Sequence, residues 1–323
     1  TWRGTAEGVG EWAFYIAVVL IAIALVRLIP YRWFRKTHRF VAPAYLVLVF
    51  HAVVLTRFGY WTTPLGIVLA ILLAGGTWAA LMSIFGRIGA SRRVRGRIVA
   101  LQYYPAVRSL EGEFELEEGW PGHKGGQFAF ATSDRAEGAH PFTIASAWNP
   151  ATRRITLVAK ELGDYTGRLR ETKSVGDEVT VEGPYGCFTF ENGKPLQIWI
   201  GGGIGITPFI AGMKQIAMDR QAEGGNASPR EVYLFHSTAE YDEAAIRKLE
   251  ADAAASGIQM HVLVDARDGR LTGERIRAKV PGWRDASVWF CGPVGFARAL
   301  RADLAAAGFP VDEHFHQELF DMR

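Results

Sequence analysis

Cysteine is nearly missing from this 323-residue chain: Cys187 and Cys291 are its whole supply. Two separated thiols exclude an iron–sulfur centre and a paired-cysteine zinc site. They have no need to pair, which points to a reducing compartment for the part that carries them. An excess of charge of one sign is lacking too, with 36 Lys and Arg against 33 Asp and Glu and a net charge of +3. No basic face of the kind nucleic acid requires stands out, so no nucleic-acid partner is expected. Methionine comes late. A chain that opens on Thr1 and meets its first methionine at Met82 reads as a fragment or a processed form.

What is present is hydrophobic, 49% of residues, and unevenly placed. Trp12 to Val26 is an unbroken apolar run, Phe40 to Thr56 a second interrupted by His51, and Trp61 to Phe85 a third containing Gly75 and Gly76. Each approaches the ~20 residues that cross the hydrocarbon core as a helix. Helices are expected over about 12–29, 40–56 and 61–85, within a first region 1–90. Buried helices of a large soluble core are the alternative. The aromatic ends Trp12, Tyr31, Trp33, Tyr60 and Trp61 favour a lipid bilayer as partner. Arg32, Arg35, Lys36 and Arg39 follow the first run, and Arg87, Arg92, Arg93, Arg95 and Arg97 follow the third, whereas the intervening loop has only Arg57. The positive-inside rule then gives a multi-pass cell-membrane protein whose remainder is cytoplasmic.

His38 and His51 fall at opposite ends of the second run. On one helix they would stand ~20 Å apart along the axis and about 140° apart around it, with Pro43 between them able to kink it. An imidazole at membrane depth is a functional hypothesis by default, and haem iron is a standard taker. His38 serves equally as an interfacial residue or a ligand. His51 has hydrogen bonding to a neighbouring helix as its alternative, with ligation favoured. A bis-histidine haem needs partner imidazoles, and no further histidine occurs in this region.

Beyond Arg97 the pattern changes to short alternating runs: Ile98–Tyr103, Glu113–Leu116, Gln127–Ala131, Arg154–Ala159 and Glu178–Val181. Closely spaced short strands predict an antiparallel barrel over 91–193. Three motifs lie on it: Gly126-Gln127-Phe128, then His140-Pro141-Phe142-Thr143-Ile144-Ala145-Ser146, then Gly163-Asp164-Tyr165-Thr166. From 194 to 323 apolar strands alternate with helical stretches, the signature of a doubly wound parallel sheet. Gln197–Ile200 runs into Gly201-Gly202-Gly203-Ile204-Gly205-Ile206-Thr207-Pro208, a glycine-rich turn that lets backbone approach a pyrophosphate at a helix start. Phe290-Cys291-Gly292-Pro293 ends a later strand, where such sheets bind their ligands. Viewed alone Cys291 is a small buried thiol, and Cys187 reads as structural. The chain is thus expected to be multidomain, with transmembrane α-helices, an antiparallel β-barrel and an α/β doubly wound domain.

The ordered set from His140 to Ser146, through Lys160 and Gly163-Asp164-Tyr165-Thr166, to Glu182-Gly183-Pro184-Tyr185-Gly186 resembles the flavin domain of the ferredoxin–NADP reductase superfamily. Together with the preceding apolar region it resembles the ferric reductase and NADPH oxidase-like flavocytochromes, with their N-terminal helices expected to be missing. The resemblance implies FAD on the barrel, with His140, Pro141, Phe142 and Thr143 at the isoalloxazine, Ser146 also cofactor-binding, and Lys160, Gly163 and Thr166 at the pyrophosphate. It implies NADPH or NADH on Gly201, Gly202, Gly203, Gly205, Thr207 and Pro208, with Cys291, Gly292 and Pro293 at the nicotinamide and Phe320 over the flavin. Thr143, Cys291 and Phe320 are the expected catalytic residues. His38 and His51 would ligate haem b, with further helices or another subunit supplying the second ligands. Edge-strand packing is an equal alternative for the C-terminal segment.

The expected activity passes electrons from NAD(P)H through FAD to transmembrane haem and an external acceptor, ferric iron or dioxygen. Its competitor is an anchored diaphorase serving a quinone or protein partner without haem. The end of the second α/β strand, His236-Ser237-Thr238-Ala239-Glu240, leaves the nucleotide open, with NADPH preferred only through the family.

Overall fold

The structure, a computed structural model, describes residues 2–26, 31–134, 137–191, 194–222 and 230–318. It divides into two compact units, Thr1–Ser91 and Arg92–Asp321.

The first unit is helical: α1 (Trp2–Leu25), α2 (Tyr31–His38), α3 (Val41–Leu55) and α4 (Pro64–Ile84). Three stretches, Trp2–Leu25, Lys36–Leu55 and Pro64–Ile84, are long and apolar enough to cross a membrane. The helix expected over 12–29 begins ten residues earlier in the structure, because its first turns are polar and an apolar-run criterion passes them over. The third starts at Pro64 rather than Trp61. Thr63 caps it, its hydroxyl accepting from Gly66 N at 3.1 Å, and Pro64 occupies the first turn, where its missing N–H costs nothing.

The expectation that His38 and His51 share one continuous helix is corrected. α2 stops at His38 and α3 begins at Val41, with a turn at Arg39 and Phe40. Pro43 has no N–H to bond the Arg39 carbonyl, and its ring crowds that carbonyl, so the helical ladder breaks there.

Small residues let these helices close on one another. Ala6, Gly10 and Ala13 are buried on α1. A Cβ on Gly10 would lie 1.9 Å from His51 Nδ1, and one on Gly76 would lie 2.0 Å from the Tyr45 hydroxyl. Elsewhere the helices turn large apolar side chains outward, including Phe14, Ile71, Leu72 and Trp78.

The second unit opens with six strands: β1 (Arg93–Tyr104), β2 (Ser109–Leu116), β3 (Phe128–Thr132), β4 (His140–Thr143), β5 (Arg154–Lys160) and β6 (Glu178–Tyr185), with α5 (Asp164–Thr172) before the last. They form an antiparallel sheet in the order β4-β3-β6-β1-β2-β5. A bridge between Ile144 and Leu157 joins the two outer strands and closes the sheet into a barrel. Period-two alternation sends Leu116, Ala129, Ile144, Ile155 and Val181 into its core.

The α/β part follows with β7 (Leu196–Gly202), α6 (Thr207–Ala222), β8 (Glu231–Thr238), α7 (Glu243–Ser256), β9 (Gln259–Val264), α8 (Asp265–Asp268), α9 (Gly273–Lys279), β10 (Ser287–Cys291), α10 (Val294–Ala306), α11 (Val311–His314) and β11 (Phe315–Glu318). Its five strands are parallel, ordered β11-β10-β7-β8-β9. Successive side chains feed opposite faces. Ile198, Ile200, Phe235 and Phe290 pack with Ile276, Leu300 and Leu304, whereas Trp199, Leu234 and Trp289 pack with Phe209, Met213 and Leu249. Burial on both faces is why these strands read as nearly continuous apolar runs. Phe188 and Phe190, from the segment after β6, join the second of these clusters and tie barrel and sheet together.

Candidate functional site

All five strands of a parallel sheet end on one side, and there backbone dipoles and loop amides converge. β7 delivers Gly201 and Gly202 to that edge, and a tight turn from Gly203 to Ile206 leads into α6. β10 delivers Cys291, Gly292 and Pro293 beside it. The two motifs are pressed together. A Cβ on Gly205 would lie 2.2 Å from the Cys291 carbonyl oxygen, and one on Gly202 would lie 2.9 Å from Pro293. Glycine is therefore a packing requirement at both positions. Gly203 differs: its φ of +56° needs glycine, and nothing lies within 4 Å of where a Cβ would be. Its backbone faces open space. Thr207 is buried and donates to the Ile204 carbonyl at 2.7 Å, and Pro208 is buried in the first turn of α6.

His236 underpins this turn. Its Nδ1 donates to the Gly201 carbonyl at 3.3 Å, and burial pushes its pKa down to about 4, so the ring is neutral near pH 7. Cys291 is buried and its thiol is pushed up, first by burial and then by Glu318, which keeps it protonated. The parallel register sets Glu318 of β11 opposite Cys291. The Glu318 Oε2 is buried without a hydrogen-bond partner, and burial raises the carboxyl pKa to about 7. A thiol and a half-protonated carboxyl thus share the edge where the nicotinamide is expected.

On the barrel, Thr143 ends β4 with its hydroxyl oxygen buried and unpartnered. His140 stacks on Tyr165 with ring centroids 4.0 Å apart at 11°, and the Tyr165 hydroxyl pairs with Ser133 Oγ at 2.8 Å. Phe142 and Tyr165 line an apolar cavity capped by Leu169 and Lys173 of the α5 region, while Pro141 is exposed. Ser146 is engaged by the barrel: its Oγ accepts from Thr156 N at 3.0 Å, and its carbonyl accepts from His123 Nε2 at 2.9 Å. Gly163 starts α5, and the Thr166 hydroxyl accepts from the Leu162 and Gly163 amides at 3.1 and 3.3 Å. Lys160 donates to Glu240 Oε2 at 3.1 Å.

Barrel and sheet together wall a cleft lined by Ala145, Val158 and Lys160 on one side and by Gly203, Thr207 and His236 on the other. Lys160, Gly203 and Thr207 are thus brought together, whereas Phe142 faces the separate barrel cavity. Phe320 lies outside the described residues. Cys187, expected to be structural, is exposed, because it follows β6 at a turn rather than within a strand. In the helical unit, His51 Nδ1 hydrogen-bonds the Ala6 carbonyl at 2.8 Å, and His38 is exposed with its ring against Phe34 at 4.9 Å.

Sequence reasoning missed Glu318, the bond from His236 to the Gly201 carbonyl and the Lys160–Glu240 pair. Glu318 had one available signal: it is the acidic end of the short segment Phe315-His316-Gln317-Glu318, whose length matches a strand beside Cys291.

No family model matches the chain. It is 28% identical over 169 residues to the reductase component of propane 2-monooxygenase from Rhodococcus jostii, covering 48% of this chain and 44% of that protein. It is 28% identical over 181 residues to a flavohemoprotein of a Burkholderia species, covering 52% and 44%. A match to dual oxidase 2 of Sus scrofa is 25% identical over 281 residues and covers 77% of this chain but 17% of that protein. The chain spans half or less of the length of these relatives. Among solved structures, the flavohem-like FAD/NAD-binding domain of Vibrio cholerae nitric oxide dioxygenase superposes with a TM-score of 0.58 at 19% identity, over 70% of this chain and 98% of that one. Flavohemoglobin from Malassezia yamatoensis gives 0.57 at 23% identity, over 88% and 77%.

The fold of the second unit is that of FAD/NAD-binding reductases. The relatives the chain matches are NAD(P)H–flavin oxidoreductases, reductase components and flavohemoproteins among them.

Proposed function

We propose that this chain is the electron-input part of a membrane oxidoreductase. It takes hydride from NAD(P)H at the Gly201–Pro208 and Cys291–Pro293 edge and passes electrons through FAD to an acceptor at the bilayer. The observation that carries the reading is the seating of Gly205 against the Cys291 carbonyl. It holds a glycine-rich pyrophosphate turn and a strand-end thiol in one rigid edge.

The barrel fits FAD. Thr143 presents a buried hydroxyl with no partner among the described residues, and Lys160 and the α5 start offer a cation and amides of the kind a pyrophosphate takes. Bound FAD supplies the conversion of a two-electron hydride into single-electron transfers. The protein orders the nucleotide turn through His236, keeps Cys291 protonated, and holds at Glu318 a carboxyl that titrates near neutrality. With a pKa of about 7, Glu318 is poised to give or take a proton without leaving its buried place.

Three apolar helices with outward Phe14, Ile71 and Trp78 support insertion in the cell membrane, and the flanking arginines support a cytoplasmic reductase. The chain's own residues do not complete a haem site. Its two histidines before residue 92 lie on separate helices. Each bis-histidine haem would need a second imidazole beside His38 or His51, and the sequence holds no other histidine before residue 92. Haem b as acceptor, with ferric iron or dioxygen beyond it, therefore needs axial ligands from further helices or another subunit. The match to a dual oxidase fits dioxygen as an acceptor. The bond from His51 to the Ala6 carbonyl supports the other reading, an anchored diaphorase serving a quinone or protein partner, in which His51 joins two helices.

An anaerobic reduced-minus-oxidised spectrum of the detergent-solubilised full chain tests both. Bleaching of the flavin bands by NADH or NADPH is expected. No bleaching with either nucleotide in FAD-loaded protein would sink the oxidoreductase reading. Haem bands that follow the flavin select the first acceptor, and flavin bleaching alone selects the second.

A further inference from the structure

The second strand of a doubly wound sheet decides which dinucleotide is taken. Its carboxyl end lies under the adenosine ribose, where an acidic residue accepts from a 2′-hydroxyl or an arginine takes a 2′-phosphate. That strand here is β8, the neighbour of β7 and its glycine-rich turn. β9 runs parallel beside it, with Thr238 opposite Val264, so Asp265 emerges next to the end of β8.

The hydroxyl donors at this end are already engaged. Ser237 Oγ donates to Asp265 Oδ1 at 3.3 Å, and Thr238 Oγ1 donates to the Glu240 carbonyl at 2.9 Å. His236 is turned to the Gly201 carbonyl and is neutral near pH 7. Among the nearby cations, Arg267, Lys160 and Arg275 already have partners in the described residues. Arg267 is held by Asp268 through contacts of 2.9–3.1 Å, and Asp268 is itself fixed by accepting from Val264 N at 2.9 Å. Lys160, the cation proposed for the flavin pyrophosphate, sits on Glu240, and Arg275 donates to the Gly269 and Arg270 carbonyls. Arg270 is exposed on the turn between them. A 2′-phosphate brings a charge of about −1.5 to −2 to a strand end bearing Asp265 and Glu240, and like charges so placed cost binding. A 2′-hydroxyl meets the acceptor it needs.

We propose that this edge selects a free ribose 2′-hydroxyl, making NADH the electron donor, with Asp265 and Glu240 as the discriminating residues. The inference rests on the oxidoreductase reading for turnover, and it makes a separate statement about binding. This reverses the family-based preference for NADPH.

The test uses the full chain in detergent with FAD. Single-turnover flavin reduction is measured with NADH and NADPH, and isothermal titration is run with NAD⁺ and NADP⁺. Reduction by NADH should be favoured by at least ~10-fold in efficiency, and NAD⁺ should bind more tightly by a similar factor. Asp265→Asn keeps the shape and removes the charge. It should move the ratio toward NADPH by at least ~5-fold, and Glu240→Gln should move it the same way by less. Equal use of both nucleotides, a preference for NADPH, or an NADPH preference abolished by Arg270→Ala would overturn the proposal. So would a ratio unchanged in both carboxylate variants. Tighter NAD⁺ binding without flavin reduction by either nucleotide would uphold the selectivity and sink the oxidoreductase reading instead.

Discussion

The two units of this chain treat the same side chains in opposite ways. Phe209 is 0% exposed against Phe188, Phe190 and Trp199, whereas Phe14 on α1 is 57% exposed. Ile200 in β7 is 0% exposed and Ile71 on α4 is 66% exposed. An apolar residue in the second unit is stabilised by leaving water for other protein atoms. In the first unit many such residues stay exposed among the described residues, as expected if the proposed bilayer covers them. The small residues Ala6, Gly10 and Ala13 fit that difference, because helices in lipid associate through close packing and hydrogen bonds rather than through hydrophobic burial.

The comparison is most exposed to a paired truncation. Phe209→Ala is expected to cost ~3–5 kcal/mol of unfolding free energy, followed by denaturant titration of tryptophan fluorescence in detergent. Phe14→Ala should stay within ~0.5 kcal/mol, and equal costs would break the contrast. Next comes Ile71→Arg. A cation at mid-bilayer costs ~2.5–3.5 kcal/mol of insertion, seen as loss of the chain from carbonate-resistant membranes. A water-facing helix would tolerate it.

A smaller effect concerns pH. Glu318 titrates near 7 in the folded protein against 4.5 for an unperturbed carboxyl, so between those values the folded state holds a proton that the unfolded chain has released. Its contribution to stability is full below about 4.5, declines as pH rises through 7, and is level beyond. Glu318→Gln should flatten that decline in a series of melting temperatures and remove a pH step near 7 from flavin reduction; an unaltered profile would leave Glu318 without this role. Smallest is His51→Phe, which deletes one interhelical bond worth about 0.6 kcal/mol on average in lipid. Detergent-denaturant unfolding of the helices reads it, and flavin content should be untouched.

Much of the architecture was legible because it is written in local periods. Apolar runs marked the three long helices, period-two alternation marked the barrel strands, and the glycine-rich turn announced itself between a strand and a helix. Element ends were less legible. The polar first turns of α1 carry no apolar signal, and the break between His38 and Val41 depends on where Pro43 falls against the Arg39 carbonyl. Within the site, the motif residues stood out by type. Their neighbours did not, since Glu318 is an unremarked acid until β11 lies beside β10.

By itself, then, the sequence determined which segments are helix or strand, in what order they come, and which side chains have the chemistry to hold a flavin and a nicotinamide. Tertiary structure alone decided who faces whom: His51 with the carbonyl of Ala6, 45 positions away, Lys160 with Glu240, 80 positions away, and Ser237 with Asp265 across two strand ends. The reason is physical. A period of 2 or 3.6 residues is set by neighbours along the chain, whereas a hydrogen-bond partner is set by the register in which distant elements pack.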